Sequence, residues 1–382
     1  MDDEVNTTYI TLDGYVELHN YRFLYFVIMF TAYILIICGN CTILCLIWFH
    51  QNLHEPMYVF IAALLLNSVV YCTTIYPKLL TDVLSEEPVI SYSTCVFQWF
   101  AYYTLMGSEY CLLSAMAYDR YVSICKPLHY PVIMRKLKIN IFLALSWFLP
   151  AFQVAVPAAI NAYRKICHFT LNGTICNSTV IHLYCIDSTA LNIYGLVCFV
   201  NLLIVPLTFI LFTYIKIFII THSCVDVRKK ATQTCLPHLL VLVSFTCATT
   251  CDVLLFLIET DFSKPIRLLM SFQTIFCHPL FNPVIYGLKM TEIFKHFKRL
   301  LCPGNGFTFS QRVKARTILS FKCLHNNTPD YLKDLLTPHT STCGLRPHST
   351  NLLLPPRTKL QTMGDRAFSS PGPISGTPSL TT

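Results

Sequence analysis

Charge is scarce in this chain. Of its 382 residues 13% are Asp, Glu, Lys or Arg, against roughly a quarter in a soluble domain. With 54% hydrophobic residues and a mean hydropathy of +0.53, that shortage excludes an ordinary soluble protein. Catalytic motifs are missing as well. There is no Gly-rich phosphate loop, no H-E-x-x-H, no G-x-S-x-G and no carboxylate pair in a soluble domain, so neither an enzyme nor a cofactor is expected. The repeat carried by many transporters is not evident. Nor is there a basic start followed by a short apolar core and a cleavage site. Residues 1–22 are polar and acidic (Asp2, Asp3, Glu4, Asp13, Glu17), so the first helix is expected to serve as an uncleaved signal-anchor. The net charge of +8 says less than its distribution, and no nucleic-acid partner is expected.

What is present are seven long apolar segments, at about 23–49, 57–83, 92–122, 139–161, 192–220, 234–258 and 266–288. Each runs past about twenty residues, and backbone satisfaction in lipid makes them helices. The fold class is therefore an all-α membrane protein, a seven-helix transmembrane bundle. Lys126, Arg135, Lys136, Lys138, Lys216, Arg228, Lys229, Lys230, Lys289, Lys295, Lys298 and Arg299 fall on one side. The other side has Arg22, Arg164, Lys165, Lys264 and Arg267. The positive-inside rule puts the N-terminus, 1–22, outside and the C-terminus in the cytoplasm. The glycosylation sequons at Asn6, Asn172 and Asn177 then face outward, and Asn326 faces inward and should stay bare. After the 23–288 receptor region, 289–302 reads as an amphipathic helix on the inner leaflet. Ile293, Phe297, Leu300 and Leu301 lie on one face, Lys295, Lys298 and Arg299 face lipid headgroups, and Cys302 is a palmitoylation candidate. Residues 303–382, rich in Pro, Ser, Thr and Gly, read as a disordered cytoplasmic tail.

The third segment carries the most unusual pattern. Cys95, Tyr102, Met106, Glu109, Leu113, Met116 and Arg120 follow one another at steps of seven, four or three, which sets them on one helix face. The stripe spans about 38 Å at 1.5 Å per residue, enough to cross a bilayer. Glu109 lies mid-membrane, where an ionised carboxylate is costly. It is protonated, paired with a cation, or hydrogen-bonded to Asn67 and Asn282 from other segments; a purely structural polar knot is the plain alternative. Asp119-Arg120-Tyr121 sits at the inner end, where a charge pair can simply anchor a helix or can act as a switch. Asn282-Pro283 in the seventh segment removes a backbone bond and kinks the helix, with the Asn side chain placed to satisfy the freed carbonyl. Outside the membrane, Cys95, Cys167, Cys176 and Cys185 allow three pairings, and spacing does not choose among them.

Gly39-Asn40, LHEPMY (Leu53–Tyr58), MAYDRYVSICKPLHY (Met116–Tyr130), KATQTCLPHL (Lys230–Leu239) and PLFNPVIYGLK (Pro279–Lys289) together resemble the rhodopsin-like G-protein-coupled receptors. The narrower resemblance is to the vertebrate odorant receptors of the fish type, over residues 20–302. It implies a receptor in the plasma membrane of olfactory sensory cilia that binds a small odorant. It also implies activation of a stimulatory, olfactory-type heterotrimeric G protein that raises cAMP. A non-olfactory rhodopsin-like receptor is the closer alternative, a transporter or channel subunit the more distant one. The resemblance further implies disulfides Cys95–Cys176 and Cys167–Cys185, and an activation set of Asp119, Arg120, Tyr121, Tyr214, His238, Asn282, Pro283 and Tyr286. Its polar core would be Asn40, Asn67 and Glu109, with a sodium ion at Glu109. Two residues depart from the family's pattern. Asn67 stands where many members carry Asp, which leaves the cation site one charge short, and Thr246 stands where many carry Tyr.

The ligand is expected in the outer half of the bundle, above Glu109. Tyr102, Tyr103, Met106 and Gly107 of the third helix would face Cys198, Phe199 and Leu202 of the fifth, Cys251 and Asp252 of the sixth, and Phe272 and Ile275 of the seventh. Asp252 would favour a cationic or hydrogen-bonding odorant.

Overall fold

The computed structural model describes residues 8–15, 18–186, 188–222, 225–257 and 264–301, with three short strands further on. Its long helices are α1 (Leu18–Phe49), α2 (Pro56–Leu84) and α3 (Tyr92–Cys125). A short α4 (Tyr130–Ile133) leads into α5 (Lys136–Ala162). The fifth crossing is α6 (Thr189–Phe199), a π-helical stretch (Val200–Ile204) and α7 (Val205–Thr221), followed by α8 (Val225–Leu257), α9 (Lys264–Lys289) and α10 (Thr291–Leu301). Within these, Tyr21–Phe49, Pro56–Leu84, Lys136–Ala162, Thr189–Thr221 and Thr234–Cys251 are long and apolar enough to cross a membrane. Helices α3 and α9, which carry Glu109, Asp119, Arg120, His278 and Asn282, complete the seven. Phe148, Phe152, Phe212 and Ile215 are exposed on the bundle's outside, where lipid rather than water is the solvent.

Helix starts follow local chemistry. Pro56 occupies the first turn of α2, where its missing N–H costs nothing. Ser91 caps α3 by accepting from the Thr94 amide. Helix α8 begins at Val225, earlier than the apolar pattern from 234 suggests, because a helix satisfies its own backbone and continues into the polar stretch before it.

Prolines inside the helices become attachment points. A proline at position i frees the carbonyl at i−4, and in three cases a side chain from another helix takes that carbonyl. Pro157 frees Gln153, whose oxygen accepts from the Tyr194 hydroxyl of α6 at 3.1 Å. Pro279 frees Ile275, which accepts from Tyr76 of α2 at 3.4 Å. Pro283 frees Pro279, which accepts from Asn40 Nδ2 of α1 at 3.1 Å. Helix α9 therefore runs on as one element through Asn282-Pro283, and Asn40 satisfies the freed carbonyl. The Asn282 amide is spent elsewhere. Gly39 faces the Pro283 ring, where a Cβ would make ordinary van der Waals contact at 3.4 Å.

The outer end is closed by a small sheet. Strand β1 (Tyr9–Leu12) lies between β2 (Val89–Ser91) and β3 (Thr170–Leu171). It is antiparallel to the first (Ile10↔Ile90) and parallel to the second (Leu12↔Leu171). Ile10, Leu12, Ile90, Leu171 and Leu183 form its core with Cys95 and Cys176. Disulfides Cys95–Cys176 and Cys167–Cys185 are both present. Gly14 is required there: a Cβ would come within 2.4 Å of the Gly173 carbonyl carbon.

At the inner end, α10 turns Ile293 and His296 into the bundle, with the His296 ring tilted against that of His50, just past the end of α1, at 3.8 Å between ring centroids. Lys295 pairs with Glu292 at 2.6 Å. Asn6, Cys302 and most of 303–382 lie outside the described residues. A second unit, described by itself, contains β4 (Thr337–Pro338), β5 (Leu352–Leu354) and β6 (Ile374–Ser375) as an antiparallel trio in the order β4-β5-β6.

Candidate functional site

The α3 stripe is the axis of the bundle. Cys95, Tyr102, Glu109, Leu113, Met116 and Arg120 are all buried, and Met106 is half-buried. Three environments lie along it.

The outer one is aromatic. Tyr102 meets Tyr71 of α2 at 5.8 Å and its neighbour Tyr103 at 5.1 Å, while Tyr103 meets Trp99 at 5.2 Å. Tyr102 and Ile275 belong to one apolar cluster, with Tyr103, Met106 and Phe272 packed against it. The structure thus gathers Tyr102, Tyr103, Met106, Phe272 and Ile275. It does not bring the fifth-helix candidates into that group. Cys198 turns to the Gln153 carbonyl of α5 at 3.8 Å, and Phe199 is 37% exposed on the bundle's outside. Gly107 is a packing residue: a Cβ there would lie 3.0 Å from Pro150 Cβ of α5 and 3.3 Å from Leu202 Cδ1. Cys251 is half-buried on α8, and the Asp252 side chain lies outside the described residues.

The middle environment is polar. Glu109 is 1% exposed. Asn67 Nδ2 donates to its Oε2 at 2.8 Å, and Asn282 Nδ2 donates to its Oε1 at 3.1 Å and to Ser68 Oγ at 2.9 Å. A third contact, His278 Nε2 to Glu109 Oε1 at 3.1 Å, is one that motif reading passed over. Its signal was available, since His278 stands four residues before Asn282 and so shares its face of α9. Asn40 is not part of this group; its amide bridges the Ile36 and Pro279 carbonyls. A small cavity of about 10 Å³ adjoins the waist, lined by Tyr71, Leu105, Met106, Phe245 and His278 beside Asn67, Ser68 and Glu109.

The inner environment is a closed ion pair. Asp119 is fully buried, Arg120 is 8% exposed, and the guanidinium hydrogen-bonds the neighbouring carboxylate. The Tyr130 hydroxyl donates to the other Asp119 oxygen at 2.8 Å. Burial first, and the Asp119 charge second, push the Tyr130 phenol well above its ordinary value, so it stays a donor across the physiological range. Tyr121 and Tyr214 pack against Ile217, Ala231 and Cys235. Tyr286 is buried 5.7 Å from the His238 ring.

Seven membrane helices around a polar waist, with an aromatic outer half and an Asp–Arg pair locked at the inner end, define a rhodopsin-like receptor. The family model described as "Olfactory receptor" matches residues 29–303. Among curated relatives, human olfactory receptor 2T6 is 32% identical over 306 residues, covering 78% of this chain and 98% of the relative. Human olfactory receptor 10J1 is 33% identical over 318 residues, covering 80% and 95%, and human olfactory receptor 2T1 is 34% identical over 281 residues, covering 72% and 74%. The chain belongs to the olfactory receptor family. It is a multi-pass plasma-membrane receptor and not an enzyme. The fish-type subdivision is a finer distinction than these matches make.

Proposed function

We propose that the chain binds a small odorant in the outer half of the bundle and, once bound, activates a heterotrimeric G protein of the stimulatory, olfactory type to raise cAMP. The observation that supports this best is the continuity of the α3 stripe, which links the Tyr102–Tyr103 aromatic cluster to the Asp119–Arg120 pair through one rigid helix. A ligand that favours a different packing of the aromatic half shifts the population of inner arrangements. Opening there exchanges the Arg120 contact with Asp119 for one with the G protein, on a face bordered by Lys126, Arg135 and Lys136. In this reading the N-terminus is extracellular, the receptor resides in olfactory cilia, and Asp252 adds a charge that favours cationic or hydrogen-bonding ligands.

Arg120→Ala is the test. In a heterologous cell challenged with odorant mixtures, it is expected to abolish the cAMP response while surface labelling stays largely intact. A response that persists at normal surface level overturns the proposal.

A further inference from the structure

The α3 stripe has a counterpart on α2. Cys72, Ile75, Leu79 and Asp82 follow one another at steps of three, four and three, which sets them on one helix face. The first three belong to the apolar cluster that holds Tyr102 and Ile275. Asp82 continues that face outward, near the end of α2. It is 1% exposed, and its Oδ1 pairs with Lys78 Nζ. The same ammonium donates to the Val89 carbonyl of β2 at 2.8 Å, so Lys78 is held between α2 and the cap. The other carboxylate oxygen, Oδ2, is buried and has no hydrogen-bond partner among the described residues. Leaving a buried acceptor unpaired is costly, and such an atom calls for a donor from elsewhere.

Tyr15 borders the same place from the N-terminal segment. It follows Gly14, where a Cβ would strike the Gly173 backbone, so this segment is pressed onto the loop that Cys95–Cys176 joins to α3. Its ring packs against both the aromatic cluster and the core of the cap, and Ile175 of that loop belongs to the aromatic cluster too. The Tyr15 hydroxyl donates to the Thr174 carbonyl at 3.5 Å, the outer limit of a hydrogen bond. Burial first, and the Asp82 charge second, hold the phenol well above its ordinary value, so it keeps its proton at neutral pH.

We propose that Asp82 and Tyr15 form a polar subsite beneath the N-terminal strand that takes the hydroxyl or protonated amine of a ligand whose apolar body lies among Tyr102, Tyr103 and Phe272. This rests on the reading that the ligand occupies the outer half of the bundle, and it adds contacts from α2 and the N-terminal segment to those of the helices already named. The chemistry is selective. Asp82 Oδ2 is an acceptor and needs a donor, while the Tyr15 hydroxyl can exchange its long bond to Thr174 for one to the ligand. Lys78 already balances the Asp82 charge, so a neutral alcohol is accommodated as well as an amine. An ether of the same length brings no donor and leaves Oδ2 stranded, and a site built to hydrogen-bond a donor discriminates against the analogue that lacks it.

The test uses purified full-length receptor and reads binding as the ligand-induced rise in its thermal unfolding midpoint, so it does not depend on G-protein coupling. The probes are medium-chain alcohols and primary amines, each matched by the methyl ether of the same chain length. Alcohols or amines are expected to bind roughly tenfold more tightly than their matched ethers. Y15F and D82N should each erase that preference while leaving ether binding as it is. Y102A separates this proposal from the reading beneath it. Probes that bind the Y102A receptor as well as the unaltered one lie outside the outer half, and both fail together. Probes that lose affinity in Y102A but keep their full preference in Y15F and D82N overturn the subsite alone and leave Asp82 Oδ2 to water. Absence of any preference for alcohols or amines overturns it as well. Should D82N not fold once Lys78 loses its partner, Y15F, which removes only a hydroxyl, still decides.

Discussion

At the scale of single residues, much of this receptor depends on who satisfies a buried polar atom. Asn40 makes the point. Its amide takes the carbonyl that Pro283 leaves free on α9, at 3.1 Å and with no exposure to solvent. Asn40→Ala strands that carbonyl in the bundle, and leaving a buried acceptor unpaired costs about 1–3 kcal/mol. The midpoint of thermal unfolding should drop by several degrees, and Tyr76→Phe, which removes a longer bond of 3.4 Å to Ile275, should drop it less. Equal effects would show that the freed carbonyls do not matter individually. Asn40 was legible in the sequence as a polar residue in an apolar run, but its partner was not, because Pro279 lies 239 positions away. The same holds for Glu109. Its cost in lipid predicted partners and even two of their names, yet His278 became visible only when α9 was placed against α3.

At the scale of elements, periodicity carried the helices well. The α3 stripe emerges as one buried face, and the helical segments end close to where apolarity ends. What periodicity could not supply was the partner of each face. Gly107 read as part of the ligand surface, yet it is where α3 touches α5. Gly107→Leu drives a branched side chain into Pro150 and Leu202, which a bare Cβ would already approach at 3.0 and 3.3 Å. Overpacking of this kind costs about 1–3 kcal/mol, so surface labelling of the variant should fall well below that of the unaltered receptor. Gly195 on α6 is the contrast. A Cβ there meets nothing within 4 Å, so Gly195→Ala should leave surface level unchanged or raise it slightly through helix propensity. Strand β1 is among the elements that pattern reading missed. Four residues do not announce a strand, and its partners come from the loop before α3 and the loop after α5.

At the scale of the whole molecule, the orientation of the chain and the build of its outer cap meet in one measurement. By charge distribution Asn172 and Asn177 both face outward, and the sequon alone treats them alike. The fold separates them. Asn172 is exposed at the end of β3. Asn177 is 6% exposed, and its Oδ1 accepts from the Thr179 amide at 3.3 Å and the Thr179 hydroxyl at 3.0 Å. A glycan on that nitrogen would have to displace a cap packed beside the Cys95–Cys176 bridge. Asn172→Gln is therefore expected to increase the gel mobility of the expressed receptor by one glycan, sensitive to glycosidase, while Asn177→Gln leaves mobility unchanged. Asn326→Gln should also be silent, for the different reason that the same charge distribution puts its sequon on the cytoplasmic side. A glycan traced to Asn326 would invert the topology, and one traced to Asn177 would mean that the cap closes differently in the membrane.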